Sequence, residues 1–211
     1  MQATRSPSAP GSATFGAMAT RWAIRVALAG WLCFLVLVLV LGNPLLTRQW
    51  STLSSDGVGA RWVRDVLSYP EWGLPGYPGA LQGSLGLSVT IRTVLIVLVV
   101  GVLMFATARS MGARPACLGV MLTIWMAVVV GAGLVSALAA PVVIAAGNGG
   151  NFPSVDGRLV NSVLVAGGGG AAYGFWVGWL PALVAAPFGG QAARAAGATP
   201  EPAPYGLPAG R

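Results

Sequence analysis

Four stretches of this chain are each apolar for about twenty residues or more, and that constrains its fold more than anything else in it. They run over about 22–42, 87–108, 116–140 and 159–186. At 1.5 Å per residue each is long enough, as a helix, to cross about 30 Å of hydrocarbon. Their apolar residues are continuous rather than set on one face, so each helix would be apolar all round. Only 8% of the 211 residues are charged, against about 25% in a soluble domain. So few charges cannot cover a water-facing surface. The expected fold is an all-α integral membrane protein, with four transmembrane helices in a bundle.

The segments between and around the spans complete the outline. Residues 1–20 are small, polar and Pro-containing, and read as a disordered tail. The first span follows Arg21 and Arg25 and ends at Asn43-Pro44 without a small-residue cleavage site. It reads as an uncleaved signal-anchor helix. Residues 43–86 form the longest connection. Within them Val58, Trp62 and Val66 recur every fourth residue, with Arg61 and Asp65 on the opposite face. That pattern predicts a short outer interfacial helix, too short to span. The Pro/Gly-aromatic run after it carries Tyr69, Trp72 and Tyr77 and reads as turns at the membrane surface. Residues 21–188 make the membrane domain. The Ala/Pro/Gly-rich segment 189–211 is expected to be a second disordered tail.

Charge sets the expected orientation. All twelve basic residues are Arg, scattered singly, which excludes the clustered basic face of a nucleic-acid binder. Arg21 and Arg25 precede the first span, and Arg109 and Arg114 occupy a tight loop after the second. Short loops and first helices dominate the positive-inside rule. Both termini are therefore placed in the cytoplasm of a multi-pass cell-membrane protein, with the 43–86 loop outside.

The chain is poor in reactive groups. It has no His and no Lys. It therefore cannot supply a Ser-His-Asp triad, a His metal site, a Schiff-base amine or a P-loop lysine. No acid falls within a predicted span. Asp56, Asp65 and Glu71 all lie in the outer loop, and nothing in their spacing demands acid/base work. Cys33 and Cys117 lie in or beside apolar runs and read as small apolar residues. No catalytic residue, metal or cofactor is expected.

Two features carry positive information. In the fourth span Ala166, Gly170, Gly174, Gly178, Ala182 and Ala186 recur every four residues. Small side chains at that spacing let two helix backbones approach closely. The third span offers a similar row, Gly119, Thr123, Ala127 and Gly131. Gly170, Gly174, Gly178, Gly119 and Gly131 are thus the expected helix-packing residues. The run Gly167–Gly170 reads either as close packing or as a hinge or unwound segment lining a cavity. The second feature is Arg92, a charge near the outer end of the second span. With Thr93, Asn161 and Ser162 at similar depth it outlines a polar outer vestibule. The expected function is non-enzymatic: an accessory or scaffold subunit in the lipid bilayer, packed against a partner membrane protein or a second copy. The alternative is a small oligomeric transporter or channel entered through the vestibule.

Overall fold

In the computed structural model the described residues are 12–46, 49, 66, 69–73, 83–111, 117–152 and 157–197, and all their regular structure is helical. The long helices are α1 (Ser12–Leu41), α2 (Gly83–Ser110), α3 (Cys117–Gly147), α4 (Gly157–Val177) and α5 (Trp179–Gly197). Three are long and apolar enough to cross a membrane, and α4 with α5 makes a bent pair that counts as a fourth span if read as one. The expected interfacial helix around 58–65 lies outside the described residues.

Several boundaries move. Helix α1 begins at Ser12 rather than at 21, and α5 continues to Gly197, past the expected start of the tail at 189. Pro141, which by its chemistry marks a helix end or a kink, sits inside α3, which runs past the expected end at 140 to Gly147. That helix stops where two glycines allow positive φ. Gly149 has φ +67°, and the Gly150 amide reaches back to the Ala145 carbonyl at 2.8 Å. This closure satisfies a carbonyl that the helix end leaves open. The run Gly167–Gly170 is unbroken helix, so that stretch is not unwound.

The break comes later, at Gly178, where the axis turns by 48°. Its cause is Pro181, which has no N–H to donate to the Val177 carbonyl and whose ring crowds the preceding turn. The bend lets one apolar segment serve two neighbours. Helix α4 packs along α3, whereas α5 swings across to pack between α3 and α1. The remaining contacts run α1 to α2 and α2 to α3, and close a ring. Phe34, Ile96, Val100, Met104, Ile124, Val128 and Tyr173 fill its interior and are fully buried. The outside is apolar as well: Val102, Leu138 and Leu164 are about two-thirds exposed (67%, 70% and 68%).

Tryptophans fasten the seams. Trp22 Nε1 donates to the Phe188 carbonyl at 2.8 Å, tying α1 to α5, and Trp31 Nε1 donates to Val97 at 2.9 Å, tying α1 to α2. Gly101 leaves room for the Trp31 indole: a Cβ there would lie 2.6 Å from the ring. A buried indole N–H needs such an acceptor.

Candidate functional site

The glycine row of α4 meets α3, but not along the row expected on α3. A Cβ on Gly174 would lie 2.7 Å from Val129 Cα and 2.8 Å from the Val128 carbonyl oxygen. One on Gly170 would strike the Ala132 carbonyl and Ser136 Oγ. At Gly178 it would meet the Gly174 carbonyl of its own helix and, at 3.1 and 3.2 Å, Trp125 and Val128. The reciprocal small residues on α3 are Ala132, Gly133, Ser136 and Ala137. Gly133 faces Ala171 and Gly167, and Ala137 faces Gly167. Gly131 instead faces Val100 of α2, with 2.7 Å left for a Cβ, and Gly119 has nothing within 4 Å. Gly119 is therefore not a packing residue among the described residues.

Because α4 leans on α3, it makes little close approach to α1 or α2. The gap between α2 and α4 is occupied by the strap Tyr69–Gly73. Side chains of α2 hold its backbone. Thr93 Oγ1 donates to the Glu71 carbonyl at 2.8 Å, Thr90 Oγ1 bonds with Gly73, and Arg92 Nη2 donates to the Tyr69 carbonyl at 2.9 Å. The other side is pinned to the end of α1, where the Trp72 amide donates to the Gly42 carbonyl at 3.2 Å. Gly42 is required there, since any Cβ would strike the Pro70 carbonyl.

Tyr69 is the centre of this arrangement. The Arg92 guanidinium lies 4.8 Å from its ring centroid, an attraction worth about 0.5–2 kcal/mol. Its hydroxyl donates to the Ala166 carbonyl of α4 at 2.6 Å, and its ring edge fills the space left by Gly169. It also stacks on Tyr173 at 6.5 Å. The four glycines of the run thus divide their work. Gly167 and Gly170 admit α3, Gly169 admits Tyr69, and Gly168 faces open space.

Beside Tyr69 lies a cavity of about 650 Å³, bounded by α2, α3, α4 and the strap. Arg92, Ser136, Asn161 and Ser162 supply its polar wall, and Ala140, Val143, Ile144, Val165 and Ala172 most of the rest. The expected vestibule is thus partly gathered. Arg92, Asn161 and Ser162 share the cavity, but among the described residues no hydrogen bond joins Arg92 to either. Thr93 is buried against the strap and does not line the cavity. Sequence reading missed Tyr69, Ser136 and Tyr173. The signal available was Thr90-x-Arg92-Thr93, one helical turn whose polar groups all find the strap.

Three buried side-chain atoms lack any partner among the described residues: Arg92 Nε, Ser136 Oγ and Tyr173 Oη. Two belong to residues lining the cavity, and the third belongs to the ring stacked on Tyr69. Each unmade bond costs about 1–3 kcal/mol, and more for the charged group. Glu71 lies in the same strap. Burial pushes its carboxyl above the ordinary carboxylate value, while the positive Arg92 opposes that shift less strongly.

What the fold defines is a class: an all-helical chain with three to four helices long and apolar enough to cross a membrane. No protein-family model, no curated protein and no solved structure matches it.

Proposed function

We propose that this chain is a non-enzymatic membrane protein of four spans, bundled with both termini in the cytoplasm, and that it serves as an accessory or scaffold subunit held against a partner membrane protein. The observation that carries this reading is an aromatic cluster at the bend between α4 and α5. Trp125 stacks on Trp179 at 4.8 Å and meets Phe175 edge-on at 5.1 Å, and Phe175 meets Trp176 at 5.6 Å. Phe175 and Trp176 remain 43% and 55% exposed. We place the cluster within the hydrocarbon layer, because a Cβ on Gly30, midway along the apolar stretch of α1, would lie 3.4 Å from Ile124, the residue before Trp125. Tryptophan favours the headgroup layer over the hydrocarbon centre, and it is enriched in the energetic centres of protein interfaces. The α4 glycines do not supply the same argument, because α3 already covers them.

A transporter or channel is the second reading, favoured by a cavity that Arg92 borders, its Nε without a partner among the described residues. Against it, the interior beyond Ser136 is filled by Tyr173, Phe34, Val128 and Ile124. A photoreactive residue at position 176, compared with one at Leu138, tests the accessory reading in native membranes. The expected result is a discrete protein adduct from 176 and lipid adducts alone from 138. An adduct of twice the chain's mass makes the partner a second copy. Lipid adducts alone from both positions overturn the proposal.

A further inference from the structure

We propose that the cavity beside Arg92 binds an anionic membrane lipid, with the phosphate against the guanidinium and an acyl chain along the α4 rim. This is independent of whether the aromatic cluster has a partner.

The chemistry of the wall selects the ligand. Among the described residues that line the cavity, the one charged group is the cation Arg92. Arg92 spends Nη2 on the Tyr69 carbonyl and its π-face on the Tyr69 ring, which fixes the guanidinium in place. Its Nε has no acceptor among the described residues. Ser136 also borders this cavity, and its hydroxyl has no partner among the described residues. A phosphate is an acceptor of matching charge and can serve several donors at once. Ser162 and Asn161 stand at the same cavity, half-buried and exposed respectively, with donors available to other phosphate or glycerol oxygens.

The rest of the wall selects a tail. From Ser136 to Ile144 the groove follows about 12 Å of α3, and from Asn161 to Ala172 about 16 Å of α4. Val143, Ile144, Val165, Ala140 and Ala172 give it an apolar lining. Water would serve the donors but not this surface. The rim on α4 is Asn161, Val165 and Gly168, all exposed, so the groove opens sideways, where a chain can enter from surrounding lipid. Its volume of about 650 Å³ lies within the range of small-ligand sites, about 300–1,000 Å³.

The test uses the full chain, purified in a neutral maltoside detergent and titrated with oleoyl lysophosphatidylglycerol by native mass spectrometry. The expected result is one lipid per chain, bound at least about tenfold more tightly than oleoyl lysophosphatidylcholine. Arg92→Gln should abolish that preference, and Arg92→Lys should keep part of it. Ser162→Phe obstructs the cavity without touching the strap and should weaken binding of both lipids. Inorganic phosphate at the same concentration should not displace the lysolipid. Equal affinity for the two lysolipids overturns the proposal, as does parental binding by Ser162→Phe. Displacement by inorganic phosphate overturns it in favour of a free-anion site. If Arg92→Gln fails to fold, the lysolipid pair and Ser162→Phe still decide.

Discussion

Adding one methyl group should stabilise the fold at Gly168 but not at Gly174. Both residues lie in the same helix, so each Gly→Ala change gains about 1 kcal/mol of helix propensity. The surroundings differ. The new Cβ at Gly174 would sit 2.7 Å from Val129 Cα and 2.9 Å from Val129 N, backbone atoms that cannot rotate away. The two helices must separate, and overpacking of this kind costs about 1–3 kcal/mol. At Gly168 nothing lies within 4 Å. Gly168→Ala should therefore stabilise by about 0.5–1 kcal/mol. Gly174→Ala should end between unchanged and about 2 kcal/mol less stable, once propensity is set against crowding. The two variants should differ by about 1–3 kcal/mol, or about 2–12 °C in Tm for a chain of this length. Thermal unfolding of both in the same detergent reads the difference directly. If Gly174→Ala rises in Tm as much as Gly168→Ala, α4 does not lean on α3 through its glycines and the described seam is wrong.

Two further outcomes follow from the strap and the helix order. Glu71 titrates above its unfolded value, so the fold favours its protonated form. That contribution is complete below the unfolded pKa of 4.5 and is lost as pH rises through the folded one. Tm in detergent should fall as pH rises above about 4.5, and Glu71→Gln should remove that part of the fall; an unchanged pH profile in Glu71→Gln would show that the carboxyl is solvated. For topology, single cysteines at Asn148 and Ser110, both exposed, are placed in a variant lacking Cys33 and Cys117. An impermeant maleimide applied outside should label position 148 and not 110; the reverse pattern inverts the proposed orientation.

The apolar helices were legible because continuous hydrophobic runs leave little else for the backbone to do. So was the inward face of α4, since Gly170, Gly174 and Gly178 share a side at helical spacing. The complementary face of α3 was not. That helix is rich in small residues on every side, so spacing by four draws several rows, and only the neighbours decide which one is used. Gly131 serves α2, and Gly119 serves nothing described. Pro141 and Pro181 show the same limit. Both are helix breakers by chemistry, yet one is absorbed within α3 and the other coincides with a 48° turn. The strap was hidden because its bonds join residues 17 to 97 positions apart, from Thr90 with Gly73 to Tyr69 with Ala166. The cavity residues were readable only as polar groups at similar depth, without Tyr69 to organise them.

The indole bond from Trp22 to Phe188 joins residues 166 positions apart in the sequence. Chain synthesis runs from one end, so α1 is made long before α5 exists. Its edge bearing Trp22 lacks the Phe188 acceptor until α5 has emerged. Helices α1, α2 and α3 can associate in order as they appear, each with the one before it. Ring closure cannot, because it joins the first helix to the last and carries the largest loop-closure cost in the molecule. A chain stopped at Gly178 would keep the α3–α4 seam and the strap, yet leave the first helix open along the side that α5 should cover.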